Sequence, residues 1–422
     1  MRTAESCPVE TPRQDTDPVS WPDVVTRPDA SRARTAVTRA VLRRAFERLP
    51  LQARFADGTR AGLGGPVIDI HDPAAFHARI GTQGLIGFGE SYMAGEWDAP
   101  DLVAALTVLA GNAAGLIPAP LQKLRGLWAL RRPDVQRNTP TGARDNISRH
   151  YDLSNELFAL FLDDTLSYSA ALFRGFPATW DLLPAAQHRK IDRLLDLAEV
   201  GPGTRLLEIG TGWGELAIRA AGRGAHVTSL TLSREQRDLA RQRVREAGLD
   251  DRVAIELCDY REAVGTYDAV VSVEMIEAVG EEFWPTYFAA LDTLLVPGGR
   301  VALQAITMPH DRMRASRDTF TWIQKYIFPG GLLPSVEAVE DVTHEHTTLR
   351  TTRRDAFGAH YAETLRLWRE RFTERADEVA ALGFDETFRR MWTFYLAYSE
   401  AGFRSGYLDV QQYLFTKEVP TP

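Results

Sequence analysis

The residues best suited to bind a nucleotide-like ligand form one glycine-rich segment, Glu208-Ile-Gly210-Thr-Gly212-Trp-Gly214. An apolar run over 204–209 precedes it and a helical pattern follows, so the segment lies where a strand ends and a helix begins. Open α/β sheets bind ligands at this place, and glycines let the backbone turn tightly and approach the ligand. Glu208 can accept a hydrogen bond from a cationic amino group or order the loop. A dinucleotide site is disfavoured, because Glu215 stands at the third glycine position and no acidic residue ends the next strand.

Alternating helix and strand patterns surround this loop from about residue 184 onward. The predicted elements are a helix over 184–199, strands over 204–209, 226–232, 253–259, 267–275 and 300–306, and a helix over 281–295. The segment 233–236 has the pattern of a capping box and starts the helix after the second strand. This alternation predicts an α/β fold with a parallel sheet covered by helices on both faces.

Length and composition are those of a globular enzyme. The chain has 422 residues, 44% of them hydrophobic and 25% charged, which excludes a short disulfide scaffold and a polytopic membrane protein. Its net charge of −8 argues against wholesale binding to nucleic acid. The two cysteines, Cys7 and Cys258, are too few for a zinc cluster or a disulfide framework, so we expect no metal site and a reduced cytoplasmic compartment.

The acidic-x-Gly-x-Gly-x-Gly loop, followed by Cys258-Asp259-Tyr260 after the third strand, resembles the S-adenosylmethionine site of Rossmann-like methyltransferases. Over about residues 85–416 the chain resembles the cyclopropane-fatty-acyl-phospholipid synthases. The motifs are HYDLSN (150–155), LSYSAALF (166–173), LLEIGTGWGELA (206–217), TLSREQ (231–236), CDYRE (258–262), SVEMIEAVG (272–280), KYIFPGGLLPS (325–335), FGAHYAETLRLWRERF (357–372) and FRSGYLDVQQYLF (403–415). The resemblance implies a class I methyltransferase domain with a seven-stranded, mostly parallel sheet and a small N-terminal α+β domain that faces lipid.

In that family a methyl group passes from S-adenosylmethionine to the double bond of a phospholipid acyl chain, and a bound bicarbonate takes a proton from the resulting carbocation. The implied cofactor-binding residues are Tyr168 and Ser169 near the methionine end, Glu208, Gly210, Gly212 and Gly214 on the loop, Thr231 and Gln236 near ribose and adenine, and Asp259 and Tyr260 at the adenine edge.

The bicarbonate site implied by the resemblance is altered in this chain. Ala170 and Gln304 stand where the family has Cys and His, which puts bicarbonate itself in doubt. Glu277, Ile306 and Tyr361 remain from the usual set. The candidate catalytic residues are therefore Glu277, Tyr361, Gln304, Ile306 and Glu274. Glu274, where the family commonly has a small residue, adds a carboxylate one helical turn from Glu277, and an exposed acid at a helix start is an equal alternative for it. Glu277, acting directly or through a bound carbonate or water, is the first choice for the base.

The position of the base selects the product. Ring closure after loss of a proton from the new methyl gives a cyclopropane, whereas a hydride shift before that loss gives a methylene branch. With the Cys and His absent, the resemblance favours the branch of the family that makes 10-methylene octadecanoyl lipids, which a flavoprotein reduces to 10-methyl chains. Cyclopropane formation stays open as the alternative.

The domain expectations are a disordered leader over 1–30, an N-terminal domain over 31–132, a linker over 133–146 and a methyltransferase domain over 147–422. Residues 32–48 carry six arginines against one glutamate. They suit a helix on anionic lipid headgroups or, equally, a solvated helix with one core face. The uncharged stretch 102–122 is broken by glycines and prolines, so a buried or interfacial helix ending near Pro118 is expected rather than a membrane span.

The N-terminus lacks the pattern of a secretory signal. The expected location is therefore the cytoplasm, at the inner face of the plasma membrane. The expected partners are a phospholipid with an unsaturated acyl chain, an anionic membrane surface and a flavin-dependent reductase; the sequence leaves the oligomeric state open. Two other functions also remain open, a methyltransferase for a soluble small molecule and a decayed enzyme that only binds lipid.

Overall fold

The computed structural model describes residues 16–112, 138–139, 142, 154–317 and 319–419. Its helices are α1 (Pro22–Val25), α2 (Arg32–Phe46), α3 (Pro73–Gln83), α4 (Leu85–Met93), α5 (Leu102–Gly111), α6 (Asn155–Phe161), α7 (Leu183–Leu197), α8 (Glu215–Gly222), α9 (Arg234–Glu246), α10 (Trp284–Leu294), α11 (His310–Ser316), α12 (Trp322–Tyr326), α13 (Val336–His346), α14 (Gly358–Glu374), α15 (Ala376–Ala381) and α16 (Glu386–Arg404). Its strands are β1 (Gln52–Phe55), β2 (Arg60–Ala61), β3 (Val67–Ile70), β4 (Trp97–Asp98), β5 (Arg205–Ile209), β6 (His226–Thr231), β7 (Val253–Leu257), β8 (Tyr267–Val273), β9 (Leu295–Thr307), β10 (Leu349–Ala356) and β11 (Asp409–Lys417).

A seven-stranded sheet forms the centre of the larger domain, in the order β10-β11-β9-β8-β5-β6-β7. Strands β5 to β9 are parallel to one another, whereas β11 runs antiparallel between β9 and β10. The strand order reverses at β5, which has β6 on one side and β8 on the other. Ligands of such sheets bind at this reversal, beyond the carboxyl ends of the strands. The prediction of a seven-stranded, mostly parallel α/β domain is confirmed.

Burial on both faces explains the apolar runs of the central strands. In β5, Leu206 and Leu207 are fully buried and belong to different hydrophobic clusters, one on each side of the sheet. Parallel strands covered on both faces read as continuous apolar segments rather than as alternating ones. The glycine-rich loop leaves this rigid strand and enters α8 through Gly214, which is the N-cap residue with φ of 90°.

A second, smaller sheet with the order β2-β1-β3-β4 lies in the N-terminal part of the chain, together with α2 to α5. Helices α4 and α5 of this part pack on α16. Gly89 of α4 lies against the ring of Trp322, and a Cβ atom at Gly89 would come within 2.4 Å of that ring. Lys325 pairs with the buried Glu90 at 2.5 Å. The predicted linker over 133–146 lies almost wholly outside the described residues.

The expectation of a disordered leader over 1–30 is wrong for the part that the structure describes. Trp21 donates its indole N–H to Asp385 at 2.7 Å, and Val24 is 2% exposed. The guanidinium of Arg79 donates to the carbonyls of Asp23 and Val24. Trp21, Val24 and the buried Arg79 thus fix a segment whose sequence shows no apolar periodicity. Residues 1–15 lie outside the described chain.

In the uncharged stretch 102–122, α5 ends at Gly111 and the remainder lies outside the described residues. None of the helices that the structure describes has both the length and the apolar character needed to cross a membrane.

Candidate active site

A pocket of ≈ 970 Å³, including its open mouth, lies beyond the carboxyl ends of β5, β6 and β8. Eight of the predicted cofactor residues line it: Tyr168, Ser169, Glu208, Gly210, Gly212, Thr231, Gln236 and Tyr260. Its wall also includes Glu274, which the sequence assigned to catalysis rather than to cofactor binding. The structure therefore brings most of the predicted cofactor residues together with one predicted catalytic carboxylate.

The loop glycines shape the floor of this pocket. Gly210 has φ of 96°, and a Cβ atom there would lie 2.5 Å from Cγ of Met275. Gly212 has φ of 51° and no atom within 4 Å of the place where a Cβ would stand. Both backbone conformations favour glycine. Because Gly212 has no side chain, a ligand can fill the open space beside it and lie close to the backbone.

Glu208 and its partners form the acidic side of the pocket. Its carboxylate accepts a hydrogen bond from Ser229 at 2.5 Å, and Ser229 is bonded in turn to Thr211. Burial raises the pKa of Glu208 to about 8, while Ser229 and Lys190 oppose that shift. Glu208 is therefore poised to ionise when a cationic group binds beside it.

Lys190 is a pocket residue that the sequence reasoning missed. It lies on the buried face of α7, and its ammonium group donates to the hydroxyl of Ser169 at 2.6 Å. Burial lowers its pKa to about 8, against the attraction of Glu274, Asp163, Glu208 and Glu215. A lysine within the apolar stripe of an amphipathic helix was the signal that could have identified it, because lysine is almost never buried without a partner.

Two predicted cofactor residues do not line the pocket. Gly214 faces α9, where a Cβ atom would lie 3.1 Å from Cβ of Ala240, so this glycine serves helix packing. The Asp259 carboxylate is held by the guanidinium of Arg261 at 2.6 and 2.8 Å. A direct contact of either residue with a cofactor stays a prediction.

The five predicted catalytic residues cluster beside the pocket, with Gln304 and Tyr361 buried and the other three half-buried. Glu274 accepts hydrogen bonds from the backbone N–H of Ala170 at 2.9 Å, from the Gln304 amide at 2.7 Å and from the Tyr361 hydroxyl at 2.9 Å. Glu277 accepts one from the backbone N–H of Ile306 at 2.5 Å.

Glu274 differs from the expectation of an acid on the same helix as Glu277. It follows β8 in a left-handed conformation with φ of 52°, and the short 3₁₀ helix at Ile276–Ala278 begins only after it. This conformation is strained for a residue with a side chain, and such strain is retained when the surrounding contacts fix it.

The pocket fits S-adenosylmethionine by its charges and by its shape. Carboxylates at Glu208 and Glu274 suit the cofactor's ammonium and sulfonium charges, and the Lys190 ammonium suits its carboxylate. The open space at Gly212 admits a ligand against the backbone, and Thr231 with Gln236, bonded at 3.0 Å, offers polar groups to a ribose. Fold and pocket together define a class I, S-adenosylmethionine-dependent methyltransferase.

The chain belongs to the mycolic acid cyclopropane synthetase family, whose model matches residues 138–413. It is 57% identical over 420 residues to the tuberculostearic acid methyltransferase UfaA1 of Mycobacterium tuberculosis, covering 97% of this chain and 98% of that one. It is 34% identical over 346 residues to the cyclopropane-fatty-acyl-phospholipid synthase of Escherichia coli, covering 82% and 86% of the two chains.

Among solved structures, the mycolic acid cyclopropane synthase CmaA1 in complex with SAH and CTAB is 31% identical, with a TM-score of 0.60 over 68% of this chain and 99% of that one. The resemblance inferred from the motifs is confirmed, as are the methyltransferase activity and the cofactor.

Proposed function

We propose that this enzyme methylates the double bond of an unsaturated acyl chain in a phospholipid and leaves a methylene branch, with 10-methylene octadecanoyl lipid as the favoured product. The observation that carries the proposal is the position of the Glu274 carboxylate, a proton acceptor that lines the cofactor pocket and takes a hydrogen bond from the aromatic side chain of Tyr361.

The aromatic wall suits an alkene and the cation formed from it. Tyr361 lies 4.7 Å from Phe403 and 6.1 Å from Trp368, measured between ring centroids, and Tyr168 lies 5.4 Å from Trp368. Ring faces stabilise a nearby cation, and the absence of water protects it from hydrolysis. When bound, S-adenosylmethionine supplies an electrophilic methyl group. The chain's own contribution is alignment, water exclusion and proton removal.

The relatives support the substrate class and the product. UfaA1 is named for tuberculostearic acid, a methyl-branched acid, and the Escherichia coli relative is named for the acyl chains of phospholipids. A methylene branch is the direct precursor of a methyl branch, which supports a flavin-dependent reductase as the enzyme that consumes the product. Cyclopropane formation is the competing outcome.

An anionic membrane surface is proposed as the place of reaction, at the inner face of the plasma membrane. The arginines of 32–48 are all exposed, and α2 packs against α3 through the side that carries Leu42 and Phe46. Its exposed side also carries Val37 and several alanines. A small apolar surface flanked by arginines supports shallow binding to anionic headgroups.

The proposal is tested with S-adenosylmethionine carrying a ¹³C-methyl group and vesicles of dioleoylphosphatidylglycerol. We expect acyl chains heavier by one labelled CH2 unit, together with an equal amount of SAH. The proposal would be contradicted if the labelled S-adenosylmethionine were not consumed in the presence of the vesicles. It would also be contradicted if the label appeared only in soluble amines or hydroxyl compounds from a small-molecule panel.

A further inference from the structure

The Glu274 carboxylate occupies the centre of a preformed anion site. Its donors come from three separate parts of the fold: the backbone N–H of Ala170, the amide of Gln304 on β9 and the hydroxyl of Tyr361 on α14. Three converging donors of this kind normally hold an anion. Here the anion is a side chain of the protein itself.

The support behind these donors fixes their orientation. The amide oxygen of Gln304 accepts a hydrogen bond from Gln412 at 2.9 Å, which turns its NH2 group toward Glu274. The backbone N–H of Glu274 donates to the Gln304 carbonyl at 2.8 Å, so the two residues are joined through both main chain and side chain. The strained φ of Glu274 is therefore held by the sheet and aims its side chain at the donors.

Glu277 lies in a different environment from Glu274. One of its carboxylate oxygens accepts the Ile306 N–H, and the other is buried without a hydrogen-bond partner among the described residues. Unlike Glu274, it does not line the cofactor pocket. Two neighbouring carboxylates cannot both be charged at low cost, and the one with three donors and a nearby lysine keeps the charge.

The residues that the family resemblance assigns to a bicarbonate thus do not fit an added anion. Accepting a second anion would require the donors at Ala170, Gln304 and Tyr361 to release Glu274, and it would place two negative charges side by side. We propose that Glu274 is the proton acceptor of the reaction in place of bicarbonate, so that the enzyme works without that anion. This inference rests on the proposed function.

The new carbon–carbon bond takes the electron pair of the alkene while the methyl–sulfur bond breaks, leaving a neutral thioether and a cation on the neighbouring acyl carbon. A hydride moves from the methylated carbon to that neighbour, which transfers the positive charge to the methylated carbon. The Glu274 carboxylate then takes one proton from the methyl group, and the C–H electron pair forms the C=CH2 bond. The proton later passes to solvent.

The first test compares Glu274→Gln with the matched variant Glu277→Gln. Both keep the side-chain volume and an amide oxygen that can accept a hydrogen bond. We expect Glu274→Gln to lower kcat by about 10²-fold or more, the range of general base catalysis. Glu277, the first choice for the base on sequence grounds, is reassigned here to a neutral acid, so Glu277→Gln should lower kcat clearly less than Glu274→Gln does, because the amide resembles the neutral acid. Equal kcat losses in the two variants, or activity of Glu274→Gln within threefold of the parent, would overturn the proposal.

The second test removes the carboxylate and supplies an anion from solution. Glu274→Gly leaves a cavity and suits the positive φ at this position, so we expect it to fold and to keep measurable, though weaker, SAH binding. Added ¹³C-formate or ¹³C-bicarbonate should bind to Glu274→Gly with a shifted NMR signal and should restore turnover. Neither anion should bind to the parent or to Glu274→Gln.

Two results would contradict the proposal: a parent enzyme that stops in bicarbonate-free buffer and restarts on addition of bicarbonate, and a Glu274→Gly variant that binds SAH but neither anion. A parent that leaves vesicle lipids unchanged would instead refute the proposed function, while anion binding to Glu274→Gly would still report on the site.

Discussion

Two neighbouring carboxylates with unequal environments characterise the site at the scale of single residues. Burial raises the pKa of Glu277 to about 8, and the nearby charge of Glu274 adds to that shift. Burial also raises the pKa of Glu274, but its three donors and Lys190 oppose the shift. When the environments of two acids push their pKa values apart, one can act as a charged base while the other stays protonated.

The raised pKa of Glu277 predicts a pH dependence of stability. Between the ordinary glutamate pKa of 4.5 and about 8, the folded protein keeps a proton that the unfolded chain releases. The free energy of unfolding therefore falls as pH rises through this window, by at most about 1.4 kcal/mol per pH unit for this group. Glu277 shares its surroundings with Glu274, Tyr287 and Tyr361. Glu277→Gln should show a shallower decline than the parent in urea titrations at pH 5, 6.5 and 8, whereas parallel declines would count against a protonated Glu277.

Residue identities could be predicted from motifs, but side-chain environments could not. The glycine loop and Glu208 were found because strand, loop and helix follow one another in the sequence. Glu274 was expected on the same helix as Glu277, because spacing alone does not show a left-handed backbone. Lys190 was missed because its partners lie on other elements, far away in the sequence.

At the scale of elements, the loop between β5 and α8 contains one glycine that serves cofactor binding and another that serves helix packing. Gly212 and Gly214 both have positive φ, so an alanine at either position costs about 1–2 kcal/mol in backbone strain. Only Gly212 lines the pocket, whereas Gly214 packs on Ala240.

Gly212→Ala and Gly214→Ala therefore form a matched pair. We expect Gly212→Ala to weaken SAH binding by at least about tenfold, because its methyl group enters the open space of the pocket. Gly214→Ala should retain SAH affinity within about threefold and should lose more thermal stability, because its methyl group meets α9. Calorimetry and thermal unfolding measure both effects. A greater loss of affinity in Gly214→Ala than in Gly212→Ala would contradict the assignment.

The parallel strands were predicted to within about two residues at most ends, since strands β5 to β8 are short, apolar and bounded by turns. The family resemblance implied seven strands, but the sequence did not locate β10 and β11 or their antiparallel pairing. Strand β10 carries three arginines and is largely exposed, so periodicity gives little signal there.

At the scale of the whole molecule, the N-terminal part of the chain exposes the arginines of α2 and packs on α16 through α4 and α5. The net charge of −8 thus averages an acidic body with a basic surface. The leader prediction was wrong at this scale, because anchors such as Trp21 gain meaning only from partners near the far end of the chain.

Neutralising two α2 arginines should weaken membrane binding without affecting chemistry. For Arg32→Gln with Arg39→Gln we expect about 30-fold weaker partitioning onto vesicles of anionic lipid at low salt, at about 1 kcal/mol per charge. Arg234→Gln with Arg245→Gln on α9 changes the net charge equally and serves as the control. Co-sedimentation that falls equally for both pairs would show a general charge effect instead of a docking surface.

The most direct measurement is the NMR spectrum of oleoyl phospholipid after turnover with ¹³C-methyl-labelled S-adenosylmethionine in bicarbonate-free buffer. Mass cannot decide between a methylene branch and a cyclopropane, because the two products are isomers. We predict labelled vinylidene protons in the alkene region and their loss in Glu274→Gln. Labelled ring protons at high field without vinylidene protons, or no labelled lipid until bicarbonate is added, would contradict the account.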